Sequence, residues 1–80
     1  MKTVVNNICY DTSAARPIST SHFSLHGISA EETAYQMPDG HRFIVRRLNG
    51  QETALLPASE EDLHRWKEYR RQFPLQLWLG

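Results

Sequence analysis

Residues 33–56, TAYQMPDGHRFIVRRLNGQETALL, decide the fold, because they hold two turn signals at the spacing of a three-stranded antiparallel meander. The first is Met37-Pro38-Asp39-Gly40-His41. Proline presets φ at the first central position of a type I turn, aspartate suits the second, and glycine takes the left-handed position from which the chain returns as a strand. That geometry sets Met37 opposite His41, Tyr35 opposite Phe43 and Thr33 opposite Val45. The second signal is Asn49-Gly50, since both central residues of a type I′ turn need positive φ. It sets Leu48 opposite Gln51, Arg47 opposite Glu52, Val45 opposite Ala54 and Phe43 opposite Leu56.

The two registers agree. Both put Tyr35, Met37, Phe43, Val45, Ala54 and Leu56 on one face, as period-two alternation requires of a sheet packed on a single side. Gln36, Arg42, Ile44, Arg46, Thr53 and Leu55 fall on the other, open face. Arg47 and Glu52 make a cross-strand ion pair at the rim of the packed face.

Working outward towards the C-terminus, Pro57-Ala58-Ser59 introduces the one convincing helix, residues 59–73. Ser59 is a good N-cap, and Asp62 at the third helical position closes a capping box. Glu60, Glu61 and Asp62 also place negative charge at the positive end of the helix dipole. Leu63, Trp66, Tyr69 or Arg70, and Phe73 recur at helical spacing, so this stripe is expected across the Tyr35/Phe43/Val45 face. Pro74 stops the helix. The apolar tail, residues 74–80, either returns beside the sheet or contacts a second molecule, because Leu75, Leu77, Trp78 and Leu79 in water make an unusual exposed patch.

Towards the N-terminus, Thr3-Val4-Val5 and Ile8-Cys9-Tyr10 flank Asn6-Asn7, a candidate tight hairpin that also reads as one continuous strand. Asp11 can cap a short turn through Ala15, which Pro17 ends. Residues 18–25 alternate weakly and suit an edge strand or an ordered loop, broken by Gly27. Residues 29–32 read as loop running into strand. The organisation is thus an N-terminal hairpin and edge segment (1–28), a central meander (29–58), a helix (59–73) and a tail (74–80). The fold class is α+β: an antiparallel sheet of four to five strands with one helix packed on a single face.

The composition bounds function. Eighty residues make one domain, near the lower limit at which a single core sustains folding. Nine basic against nine acidic side chains leave no global field to draw the chain onto a nucleic acid or an anionic membrane, so any such contact must be local. A lone Cys9, no signal-peptide core and no membrane-length apolar run point to a reduced, soluble, cytoplasmic protein.

Catalytic and metal motifs are weak. His22 and His26 have the spacing of two ligands on adjacent helical turns, but SHFSLHG is not helix-forming and offers no thiol or carboxylate to complete a shell. Nothing sets a histidine beside Cys9, so that residue reads as a small hydrophobe. No phosphate loop, paired-carboxylate motif or nucleophile elbow is present, and the chain reads as a non-enzyme without metal or cofactor.

Three groups of residues carry a resemblance. Tyr10-Asp11-Thr12 with Ala14, then Glu32-Thr33 and Tyr35 leading through Gly40 to Arg42-Phe43-Ile44, then Pro57 and Ser59-Glu60-Glu61-Asp62-Leu63 with Trp66 resemble the small YDT-motif proteins of bacteria, phages and mobile elements. The resemblance implies a short antiparallel sheet closed by a C-terminal helix; the chain departs from the pattern in its apolar tail. By size and type it also resembles the small anti-CRISPR proteins of phages and integrated elements. That likeness implies a protein of the host-cell cytoplasm that binds an RNA-guided surveillance complex and blocks its target-DNA site.

Three functional expectations follow. The leading one is a non-enzymatic interaction protein, most concretely an anti-CRISPR. Its contact comes from Glu31, Glu32, Glu60, Glu61 and Asp62, or from the Trp78 tail. The alternative is a nucleic-acid-binding regulator that uses Gln36, Arg42, Arg46 and Arg47, chiefly on the open sheet face. The third is a domain that forms a homodimer through Leu77 and Trp78.

Overall fold

The structure, a computed structural model, describes residues 1–69. Six strands and one helix follow in chain order: β1 (Lys2–Val5), β2 (Ile8–Asp11), β3 (Arg16–Leu25), β4 (Ile28–Gln36), β5 (Arg42–Leu48), β6 (Gln51–Ala58) and α1 (Glu60–Tyr69). β1 and β2 form a separate two-stranded ribbon, and β3-β4-β5-β6 is a four-stranded antiparallel meander. The architecture is α+β as expected, with more strands than the sequence suggested. Residues 70–73 of the expected helix and the tail with Leu77 and Trp78 lie outside the described residues.

Three two-residue reversals set the strand order, and the one at His26-Gly27 is the addition to what the sequence suggested. Asn6 and Asn7 (φ 52° and 65°), His26 and Gly27 (51° and 79°), and Asn49 and Gly50 (50° and 81°) all take the left-handed conformation of a type I′ turn. Gly27 therefore joins β3 to β4 as a hairpin, and residues 29–32, expected as loop, are strand paired with β3 from Ser24↔Ser29 to Ser21↔Glu32. The first turn of the central stretch is built as expected. The Gly40 amide donates to the Met37 carbonyl (3.0 Å), the Met37 amide donates to His41 (2.7 Å), and Gly40 takes φ 95°.

The β4–β5 register holds throughout, with Tyr35↔Phe43 and Thr33↔Val45. The β5–β6 register begins as expected, at Leu48↔Gln51 and Arg47↔Glu52, and then slips at a β-bulge. Thr53 is the extra residue, and its hydroxyl donates to the Arg46 carbonyl (3.2 Å). Beyond it Val45 pairs with Leu55 and Phe43 with Pro57, instead of Ala54 and Leu56. One inserted residue reverses side-chain parity, so Leu55 joins the Phe43/Val45 face while Ala54 and Leu56 move to the other.

Both faces of the meander are covered, which corrects the expectation of a single packed side. On one face Tyr10, brought by the ribbon, packs with Tyr35, Phe43 and Val45, and Val5, Ile8 and Leu55 adjoin them. Tyr35 stacks on Phe43 (5.2 Å, 13°) and Tyr10 meets Phe43 edge-on (5.5 Å, 67°). The helix lies on the opposite face, where Leu63 and Trp66 pack with Ala34, Ile44 and Ala58. The ribbon already occupies the aromatic face, and on the other face the small side chains of Ala34 and Ala58 leave room for an indole. The consecutive burial of Phe43, Ile44 and Val45 is the mark of a strand enclosed on both sides.

Phe43 is fully buried and Val4 is 66% exposed. Phe43→Ala is expected to cost about 3–5 kcal/mol in urea unfolding, whereas Val4→Thr should stay within about 0.5 kcal/mol.

Candidate functional site

The charged residues singled out in the sequence separate into those spent on structure and those left at the surface. Glu32 belongs to the first group, being fully buried. One of its oxygens accepts from Arg46 through Nε (3.0 Å) and Nη2 (2.7 Å), and the other accepts from Trp66 Nε1 (2.9 Å). A buried carboxylate must be satisfied in this way, because an unpaired charge away from water is prohibitively costly. Arg46, its side chain only 11% exposed, is paired with this enclosed carboxylate instead of standing on an open face.

The opposite face has its own network. Arg47 donates to Glu31 (3.3 Å), to the Tyr35 hydroxyl (2.7 Å) and to Glu52 (3.0 Å). Partial burial works against its charge, but the Tyr35 contact, then Glu52 and Glu31, outweigh it and hold its pKa above the ordinary arginine value. Glu31 also accepts from the Thr33 hydroxyl (3.1 Å) and lies 3.7 Å from His22. The expected Arg47–Glu52 pair is therefore one link of a longer chain of contacts.

Asp62 and Ser59 form the capping box. The Ser59 amide donates to Asp62 (3.0 Å), the Asp62 amide donates to the Ser59 hydroxyl (3.1 Å), and Arg65 adds a contact to Asp62 (2.9 Å). The Ser59 N–H above all, with Arg65, holds the Asp62 carboxyl below its usual 3.8. Glu60 and Glu61 are exposed.

Gln36 and Arg42 remain. They are direct cross-strand partners, and the same row continues to Arg16 on β3 and Ala58 on β6. Arg42 is half-buried and has no hydrogen-bond or ion-pair partner among the described residues. It stands at the seam where α1 meets the sheet, between two clefts of about 360 and about 290 Å³, and Glu60 lines both with it. His41 edges the first cleft and pairs with Asp39 (3.0 Å); His64 and Lys67 edge the second. Arg42, Glu60 and Lys67 do not come together in the sequence pattern, which sets the helix on the Tyr35/Phe43/Val45 face; the structure sets it on the other.

Among the described residues no cluster of three or more His, Cys, Asp or Glu is placed to hold a metal ion, and no helix is long and apolar enough to cross a membrane. Cys9 is exposed, unlike the buried hydrophobe expected of it. No family model, curated protein or solved structure matches the chain.

The cap has a pH signature. Folding lowers the Asp62 pKa, so its stabilisation is complete above the ordinary carboxylate value and is lost as pH falls through the depressed one. Asp62→Asn should flatten the loss of thermal stability between about pH 5 and about pH 2, and Ser59→Ala should cost about 1 kcal/mol at neutral pH.

Proposed function

We propose that this chain is a non-enzymatic interaction protein that binds a partner protein through the helix–sheet seam around Arg42. The observation that carries the reading is a half-buried arginine with no hydrogen-bond or ion-pair partner among the described residues, lining two clefts together with Glu60. Arginine is among the residues most enriched at the energetic centres of protein interfaces.

The neighbouring carboxylate argues for protein over nucleic acid. A phosphate backbone tracking the seam would meet Glu60 in both clefts, whereas a protein surface of mixed charge can answer both signs. Of the expected acidic contact, Glu60 and Glu61 remain at the surface, while Glu32 is enclosed and Glu31 and Asp62 are engaged within the fold. Of the expected arginine surface, Gln36 and Arg42 remain. The resemblance to anti-CRISPR proteins gives the reading its concrete form: the partner is an RNA-guided surveillance complex in the host cytoplasm, held so that target-DNA binding is blocked.

Affinity capture from a lysate with an active CRISPR system tests this. The full chain should retain the surveillance complex in stoichiometric amount, and Arg42→Glu should reduce both capture and inhibition of plasmid interference about tenfold or more with an unchanged melting temperature. Recovery of DNA alone, with an affinity that falls steeply with salt and flattens in Arg42→Ala, would replace the reading with the nucleic-acid-binding one.

A further inference from the structure

The two clefts at the seam have mixed walls around a shared charged pair. Tyr10, Pro57 and Ala58 supply the apolar wall of the first beside His41 and Ser59, Ile18 and Leu63 supply that of the second beside Gln36, His64 and Lys67, and Arg42 and Glu60 line both. We infer that the double cleft is the docking groove for an extended segment of the partner protein that carries one carboxylate between apolar side chains. This inference rests on the reading of the seam as a partner-binding surface and adds the chemistry of what binds there.

Charge complementarity selects the occupant. The Arg42 fork matches a carboxylate, and Lys67 adds positive charge at the rim of the second cleft. Glu60 sets the limit on the occupant's charge, since each further negative group brought along the groove meets its carboxylate in one cleft or the other. A single acid satisfies Arg42 without that repulsion. In an extended chain the side chains two residues to either side of the acid point the same way as it does, so apolar groups at those positions enter the two clefts while the carboxylate meets Arg42.

The test is an NMR titration of the full, isotope-labelled chain with an acetylated, amidated Leu-Ala-Glu-Ala-Leu peptide, with the same peptide carrying Gln for Glu, and with a single-stranded thymidine oligonucleotide. The Glu peptide should shift the Arg42 side-chain Nε–H and the Lys67 amide, and should bind about tenfold or more tightly than the Gln peptide, as expected for a charge-assisted pair. Arg42→Gln should abolish the difference, and Glu60→Gln should tighten the Glu peptide. The inference is overturned if neither peptide binds, if both bind alike, or if the oligonucleotide alone shifts Arg42 with a steep salt dependence. Capture that depends on Arg42 while neither peptide binds would remove the groove assignment and leave the partner-binding reading standing; capture indifferent to Arg42 would remove that reading itself.

Discussion

A carboxylate enclosed between the sheet and the helix is the constraint on which the arrangement of this protein depends. Glu32 is fully buried, and its two oxygens receive three N–H donors, two from Arg46 on the neighbouring strand and one from the Trp66 indole. Apolar packing of Leu63 and Trp66 on Ala34 and Ile44 is non-directional and tolerates small slides. The indole bond is directional and gives the helix one address along the sheet. The capping box fixes the other end of the same helix at Ser59.

The position of the helix sorts the arginines of β5. Arg42 and Arg46 share a face of the strand, since they are four residues apart. Arg46 is engaged by Glu32, which also holds Trp66 of the helix, whereas Arg42 lies beside the start of the helix, where the clefts open. Arg47, one residue on, points to the other face and is held by Glu31, Tyr35 and Glu52. Three arginines that look alike in sequence thus have three fates, and of the three Arg42 alone has no ion-pair partner among the described residues.

Local chemistry made much of the fold legible. Asn49-Gly50 and the proline-aspartate-glycine turn are found where the sequence placed them, and of the two readings open for Asn6-Asn7 the hairpin is the one formed. Ser59 and Asp62 likewise bond each other as their spacing predicts. The bulge at Thr53 left no such mark, because the adjacent Leu55 and Leu56 suit either register. Glu32 reads as surface charge in the sequence as long as residues 29–32 read as loop. Carrying the Thr33↔Val45 register two residues further would have set Glu32 opposite Arg46 and Glu31 opposite Arg47. The Arg42 seam was hidden for a different reason: it is made by helix and sheet together, and the face that receives the helix depends on tertiary packing that periodicity does not encode.

The most direct test of the buried clamp is a double-mutant cycle in urea on Glu32→Leu, Arg46→Met and the combined variant. Each single change leaves one charge enclosed without its partner and is predicted to cost about 3–5 kcal/mol, while the combined variant recovers about 2 kcal/mol or more of their sum. Additive losses would show that Glu32 and Arg46 act independently, and would contradict the account of Glu32 as an enclosed carboxylate that depends on its arginine.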